Sequence, residues 1–225
     1  LLRVEVLREQ EGSSIIFFDM HHIISDGSSS EILLRDFIRL YQGQGLSPLP
    51  VQYKDYAAWQ NRCLKEERFQ EQEKYWMNRL EGFVFTQLPV DYSHSITRVK
   101  GDSILLEIDP LLYREIEGFC QVHNITRFIY LVTVFAVVLA GEIDQWDITL
   151  AIPTSIRDHP DLRDLVGIFL NLLLIRARID PAEPFLELLE KNKKNLLEAL
   201  NNQYYPYELL KEKIIAGSPF KKSEL

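Results

Sequence analysis

The sequence predicts a mixed α/β fold of the α+β sandwich kind, and three observations carry that expectation. Short alternating apolar runs at residues 1–7, 14–20, 148–152 and 170–179 read as strands. Longer stretches between them repeat apolar side chains at helical spacing. Of the 225 residues, 46% are hydrophobic, enough to fill the core of one large domain or two smaller lobes.

Taken in order, the first two runs are joined across "REQEGS" as a hairpin. After Gly27 the period changes: Leu33, Leu34, Phe37, Ile38 and Tyr41 recur at helical spacing until Gly43 offers a stop. Ser28 and Glu31 read as the capping box of that helix. "PLPVQYKDYAAWQ" is a Pro-bounded loop entering a second helix, and residues 66–80 predict a third carrying Tyr75 and Trp76. Residues 81–99 hold no period, so 83–98 is the expected linker between a segment 1–82 and a segment 99–225. A strand is predicted at 102–108. Asp109 and Pro110 then open a helix with Leu112, Ile116, Phe119 and Cys120 as its apolar stripe. Thr126 caps the apolar helix containing Phe128 to Ala140, and helices from Glu183 and Pro206 complete the pattern.

The formal net charge of −8 argues against nucleic acid as a partner, because the 25 cationic side chains are scattered among 33 acidic ones. The longest apolar run is too short to cross a bilayer, so no membrane is expected. Cys63 and Cys120 lie in different predicted helices, which argues against a disulfide framework and fits a cytoplasmic setting.

The stretch "DMHHIISDG" holds the chemistry. If the preceding strand runs on through the histidines, His21 and His22 project to opposite faces and cannot converge on one ion. His94, His123 and His159 have no ligand-like spacing either, so no metal is expected. His21 reads as a core histidine bonded to backbone. His22 stands before a sharp Asp-Gly turn and a helix N-terminus, a placement suited to a general base. Asp26 can hold the turn by pairing with a cation, and Gly27 offers a wall free of side chain.

"MHHIISDGSS" resembles the HHxxxDG signature of the condensation domains of nonribosomal peptide synthetases. "YKDYAAW" (Tyr53 to Trp59) is similar to that family's Y-x-D-Y-A-x-W motif. "VGIFLNLLLIR" is similar to G-x-F-V-N-T, with Gly167, Phe169 and Asn171 kept and Leu172 in place of Thr. "NQYYPYE" is similar to H-Q-D-Y-P-F-E, with Gln203, Tyr205, Pro206 and Glu208 kept and Tyr204 in place of Asp. The four motifs follow the family's order across essentially the whole chain.

The resemblance implies a chloramphenicol-acetyltransferase-like pseudo-dimer of two lobes around a tunnel, of which this chain is a part truncated at both ends. It implies amide formation between carrier-protein-bound thioesters, driven by the thioester without ATP or metal. His22 is the implied catalytic residue, supported by His21, Asp26, Gly27 and Arg157. An Asp26–Arg157 ion pair is expected to fix the turn across the lobe interface. Ser25, Ser28 and Asn171 are candidate tunnel residues. Tyr56 and Trp59 are expected to be packing anchors, and Phe169 a core residue. The domain itself is expected to bind no cofactor, because the 4'-phosphopantetheine arms belong to donor and acceptor carrier proteins; an adenylation domain is the expected neighbour. A free-standing acyltransferase using coenzyme A thioesters and a degenerate recruitment domain are the alternatives. As a piece of the domain, the chain is expected to be inactive alone.

Overall fold

A computed structural model describes residues 1–9, 12–89 and 101–217. The elements run β1 (Leu2–Arg8), β2 (Ser14–Met20), a 3-10 turn (His22–Ile24), α1 (Gly27–Tyr41), α2 (Tyr53–Cys63) and α3 (Glu67–Arg79). They continue with α4 (Pro110–Val122), α5 (Arg127–Ile143), β3 (Asp147–Ser155), β4 (Leu170–Arg178), α6 (Phe185–Asn201) and α7 (Tyr207–Gly217). β1 and β2 pair antiparallel in the register Leu2 opposite Met20 to Arg8 opposite Ser14, and β3 pairs with β4. This mixture of helix and strand agrees with the predicted class. Among the described residues no single helix is long and apolar enough to cross a membrane.

The chain forms two compact units. The first comprises Leu1–Tyr75, Pro153–Leu172 and Gln203–Leu225; the second comprises Trp76–Ile152 and Leu173–Asn202.

In the first unit, the buried rings of Tyr56 and Phe169 pack with Ile156 and Leu165, flanked by Val51, Tyr53, Leu162 and Tyr204. The "YKDYAAW" and "GIFLN" segments therefore share one core. α2 begins with a reciprocal cap: Gln52 N donates to the Asp55 carboxylate at 2.8 Å while the Gln52 side chain meets the Asp55 backbone. The predicted cap of α1 is corrected. Asp26, not Ser28, is its N-cap, accepting the Ser29 N–H, and the helix begins at Gly27. Aspartate outcompetes serine here because its carboxylate also answers an arginine, described below.

In the second unit, α5 packs through Ala136 and Ala140 on Ile148 of β3, Ala177 and Ile179 around β4, and Leu188 of α6. Alanines on α5 let the helix approach the strands closely. A neighbouring cluster joins Cys120, Ile125, Ile129 and Leu189. The start of α4 follows the sequence: Asp109 accepts from Leu111 N (2.8 Å) and Leu112 N (3.3 Å), and Pro110 occupies the first turn. Thr126 likewise caps α5. Arg176 ties the unit together. Its Nε donates to Asp147 Oδ1 at 2.8 Å, and its Nη atoms donate to the carbonyls of Arg79, Glu81 and Gly82.

The strand predicted at 102–108 does not form. Residues 101–109 are irregular, with Ile104, Leu105 and Leu106 between 84% and 87% exposed. Alternation supplies a strand's faces but not its ladder, and no described segment pairs with this one. Of the expected linker, residues 83–89 are irregular and 90–98 lie outside the described residues.

Candidate active site

The ladder of β1 and β2 ends with His21 N donating to Leu1 O at 2.8 Å. The chain then folds into the 3-10 turn, so the strand does not continue through both histidines. This corrects the expectation for His21. Its ring is exposed rather than in the core, and its Nδ1 accepts from Ile23 N at 3.1 Å, capping the turn. His22 is exposed, and its imidazole has no hydrogen bond or ion pair among the described residues. A ring in that condition keeps a nitrogen lone pair for an incoming proton.

Behind the turn sits a dense polar network. Arg157 and Asp26 form an ion pair with side chains only 7% and 2% exposed, and both belong to the first unit. Arg157 Nη2 donates to Asp26 Oδ1 (2.9 Å) and Oδ2 (3.1 Å) and to Gly167 O (3.0 Å). Its Nη1 donates to the carbonyls of Leu162 (2.9 Å) and Leu165 (2.6 Å). The guanidinium also lies 4.1 Å from the centre of the Phe169 ring, within cation–π range. Asp26 further accepts from Ser29 N at 2.8 Å and Phe169 N at 3.0 Å. Ser29 was not among the residues the sequence singled out. Its buried hydroxyl faces Asp26 Oδ1 (2.7 Å) and Gly167 O (2.8 Å), and it accepts from Gly167 N (3.1 Å). Its signal was available: three residues after an N-cap aspartate, a small polar residue sits beside the capping carboxylate.

Burial alone raises the Asp26 pKa, but hydrogen bonds from Arg157, Ser29 and the Phe169 backbone outweigh it and hold the carboxyl below its usual value. The stabilisation this implies is complete above the unfolded-state pKa of about 3.9. It is lost as pH falls through the depressed folded-state value. Acid titration of stability by circular dichroism is therefore expected to show the gap between wild type and Asp26→Asn narrowing below about pH 4. A gap constant down to that range and below contradicts this.

Gly167 is required by packing. A Cβ there would lie 2.2 Å from Tyr53 Cδ2 and 2.6 Å from Cε2, inside any tolerable contact. The ring cannot easily retreat, because the Tyr53 hydroxyl donates to Ile168 O at 3.0 Å and its edge meets Phe169. Gly167→Ala is expected to cost about 1–3 kcal/mol through overpacking. A cost of Gly167→Ala clearly smaller in a Tyr53→Ala background than in the wild type, read by chemical denaturation, would verify the clash; an equal cost in both backgrounds would refute it.

The remaining candidates divide. Gly27 has no heavy atom within 4 Å of where a Cβ would stand, so the space beside it is open. Ser25 is buried, and its hydroxyl donates to His21 O at 3.4 Å, closing the 3-10 turn. Asn171 is likewise engaged inside the fold: Nδ2 donates to the carbonyls of Gln203 (2.7 Å) and Tyr205 (2.8 Å), and Oδ1 accepts from Tyr207 N (2.9 Å). It pins the loop before α7. Ser28 is exposed and lines an open cleft with Glu31, Ile32, Ser155, Arg157 and Arg163. Tyr56 is a packing anchor, but Trp59 is 43% exposed and lines a cleft of about 510 Å³ with Tyr56, Arg68, Asp158 and Tyr204. Tyr204 has gained a polar role, its hydroxyl donating to Asp158. No three His, Cys, Asp or Glu side chains gather as a metal would need among the described residues.

The family model described as "Condensation domain" matches residues 1–218. Bacitracin synthase 1 of Bacillus licheniformis is 35% identical over 216 residues, covering 95% of this chain and 4% of that protein. Tyrocidine synthase 3 of Brevibacillus parabrevis is 37% identical over 216 residues, covering 95% of this chain and 3% of that protein. Among solved structures, the X-domain from teicoplanin biosynthesis superposes with a TM-score of 0.88 at 21% identity, covering 98% of this chain and 51% of that one. The condensation domain from Monacolin K polyketide synthase superposes with a TM-score of 0.79 at 23% identity, with the same two coverages of 98% and 51%. The chain thus spans about half the length of these solved structures and a small fraction of the synthases.

Proposed function

This chain belongs to the condensation domain family, and on that premise we propose that it serves amide formation in a nonribosomal peptide synthetase. An aminoacyl or peptidyl group leaves its thioester for the α-amine of a second aminoacyl group, each delivered on a carrier protein. The amine nitrogen attacks the thioester carbonyl, the C–S bond breaks, the thiolate takes up a proton and the amine gives one up. The carrier proteins bring the phosphopantetheine arms, and an adenylation domain in the same synthetase charges them. In the complete domain, residues 1–82 and 99–225 contribute to two lobes, with 83–98 between them.

One observation carries this reading: an exposed imidazole with no partner among the described residues, His22, follows a strand end, four residues before a buried Asp26 locked by Arg157. The network fixes the backbone on which the imidazole stands; His22 then orients the amine and takes its proton. The test is amide formation by the complete protein with loaded carrier proteins, wild type against His22→Ala. Equal turnover would overturn the assignment and leave a recruiting role in its place.

A further inference from the structure

Ser29 is 0% exposed, and its hydroxyl uses every bonding position it has. Gly167 N donates to it at 3.1 Å and Arg157 Nη2 at 3.1 Å, which occupies both lone pairs. Its one proton faces Asp26 Oδ1 at 2.7 Å and Gly167 O at 2.8 Å. The Gly167 N–H has no other acceptor among the described residues. The hydroxyl is therefore a joint between the first turn of α1 and the segment that leads into β4.

It is the second of two joints. The first is the Asp26 carboxylate at the N-cap, which accepts from Phe169 N at 3.0 Å and pairs with Arg157. Ser29 lies three residues on, close to one helical turn further. One attachment fixes where the start of α1 stands; a second, offset along the helix, also fixes its rotation. His22 stands four residues before Asp26 on a turn that is closed on itself, with Ser25 N donating to His22 O and the Ser25 hydroxyl to His21 O, both at 3.4 Å. The other end of that turn is tied by His21 N to Leu1 O at 2.8 Å. The backbone under the imidazole thus hangs between the hairpin and the start of α1. Without the Ser29 hydroxyl the first turn pivots on Asp26, and His22 moves with it. The ion pair survives that loss, because Arg157 keeps both carboxylate oxygens and the carbonyls of Leu162, Leu165 and Gly167.

We infer that Ser29 is a positioning residue for His22, affecting the reaction only through the placement of that ring; the inference rests on the amide-forming role proposed above. Misplacing a reacting group by about 1 Å can cost about 10²-fold in rate. The experiment measures amide formation by the complete protein with loaded carrier proteins in wild type, Ser29→Ala, His22→Ala and the double variant. Each rate is scaled by the folded fraction from circular dichroism. Ser29→Ala is expected to lower kcat by about 10–10²-fold with the KM for the acceptor-loaded carrier little changed. Once His22 is alanine, it is expected to have no further effect. A residue that serves only the fold would cost the same factor in both backgrounds. Ser29→Cys, which refills the space with a weak acceptor, is the second variant and is expected to behave like Ser29→Ala. Full activity of either variant, or an equal loss with and without His22, overturns the inference and leaves the amide-forming reading standing. A His22→Ala protein as fast as wild type overturns both.

Discussion

Arg157→Ala is expected to lower the folding stability by about 3–5 kcal/mol, a large share of the roughly 5–15 kcal/mol available to a domain. The loss comes less from a missing attraction than from what remains. Asp26 would stay buried with its negative charge facing empty space, and the carbonyls of Leu162, Leu165 and Gly167 would lose a shared donor. Phe169 would also lose the cation over its face. A double-mutant cycle in urea isolates the pair: Arg157→Ala combined with Asp26→Asn is expected to cost clearly less than the sum of the single losses. Additive losses would show that the two side chains do not depend on each other. Arg157→Lys is not expected to rescue, because an ammonium cannot reach both carboxylate oxygens and three carbonyls at once.

His22→Ala in the complete protein is expected to reduce amide formation by about 10²–10⁴-fold, the usual range for removing a general base. Two contributions make up that figure, and they separate experimentally. An α-amine with a pKa of about 7.7–8 is already partly neutral near neutral pH, so prior deprotonation lowers the barrier only modestly. Holding the amine against the carbonyl is the larger opportunity. His22→Gln retains a hydrogen-bonding group but cannot take a proton. Partial recovery in that variant would identify positioning as the main contribution; a loss as deep as that of alanine would identify proton transfer. Since His22 has no partner among the described residues, neither change is expected to move the denaturation midpoint. A large shift in stability would mean that the ring serves the fold instead.

The strands at residues 2–8 and 14–20, the caps at Asp109 and Thr126, and the apolar helix after Thr126 were legible because their signals act within one turn or one hairpin. The site was half legible. The spacing of "HHIISDG" marked His22 and Asp26, and resemblance supplied Arg157 as the partner. Neither identified the contact of Ser29 with Gly167, nor that of Tyr53 with Gly167, because each depends on segments far apart in the chain meeting in one core.

By itself, then, the sequence determined which segments are helical or extended, where the candidate imidazole of His22 lies along the chain, and which motifs are present. The tertiary structure alone decided which of two polar residues caps α1, that residues 102–108 remain unpaired among the described segments, and that the Asn171 amide holds the loop before α7. The physical reason is common to all three. A backbone period is a local property, whereas a polar group's partner is set by whichever distant donor or acceptor packing brings within about 3 Å.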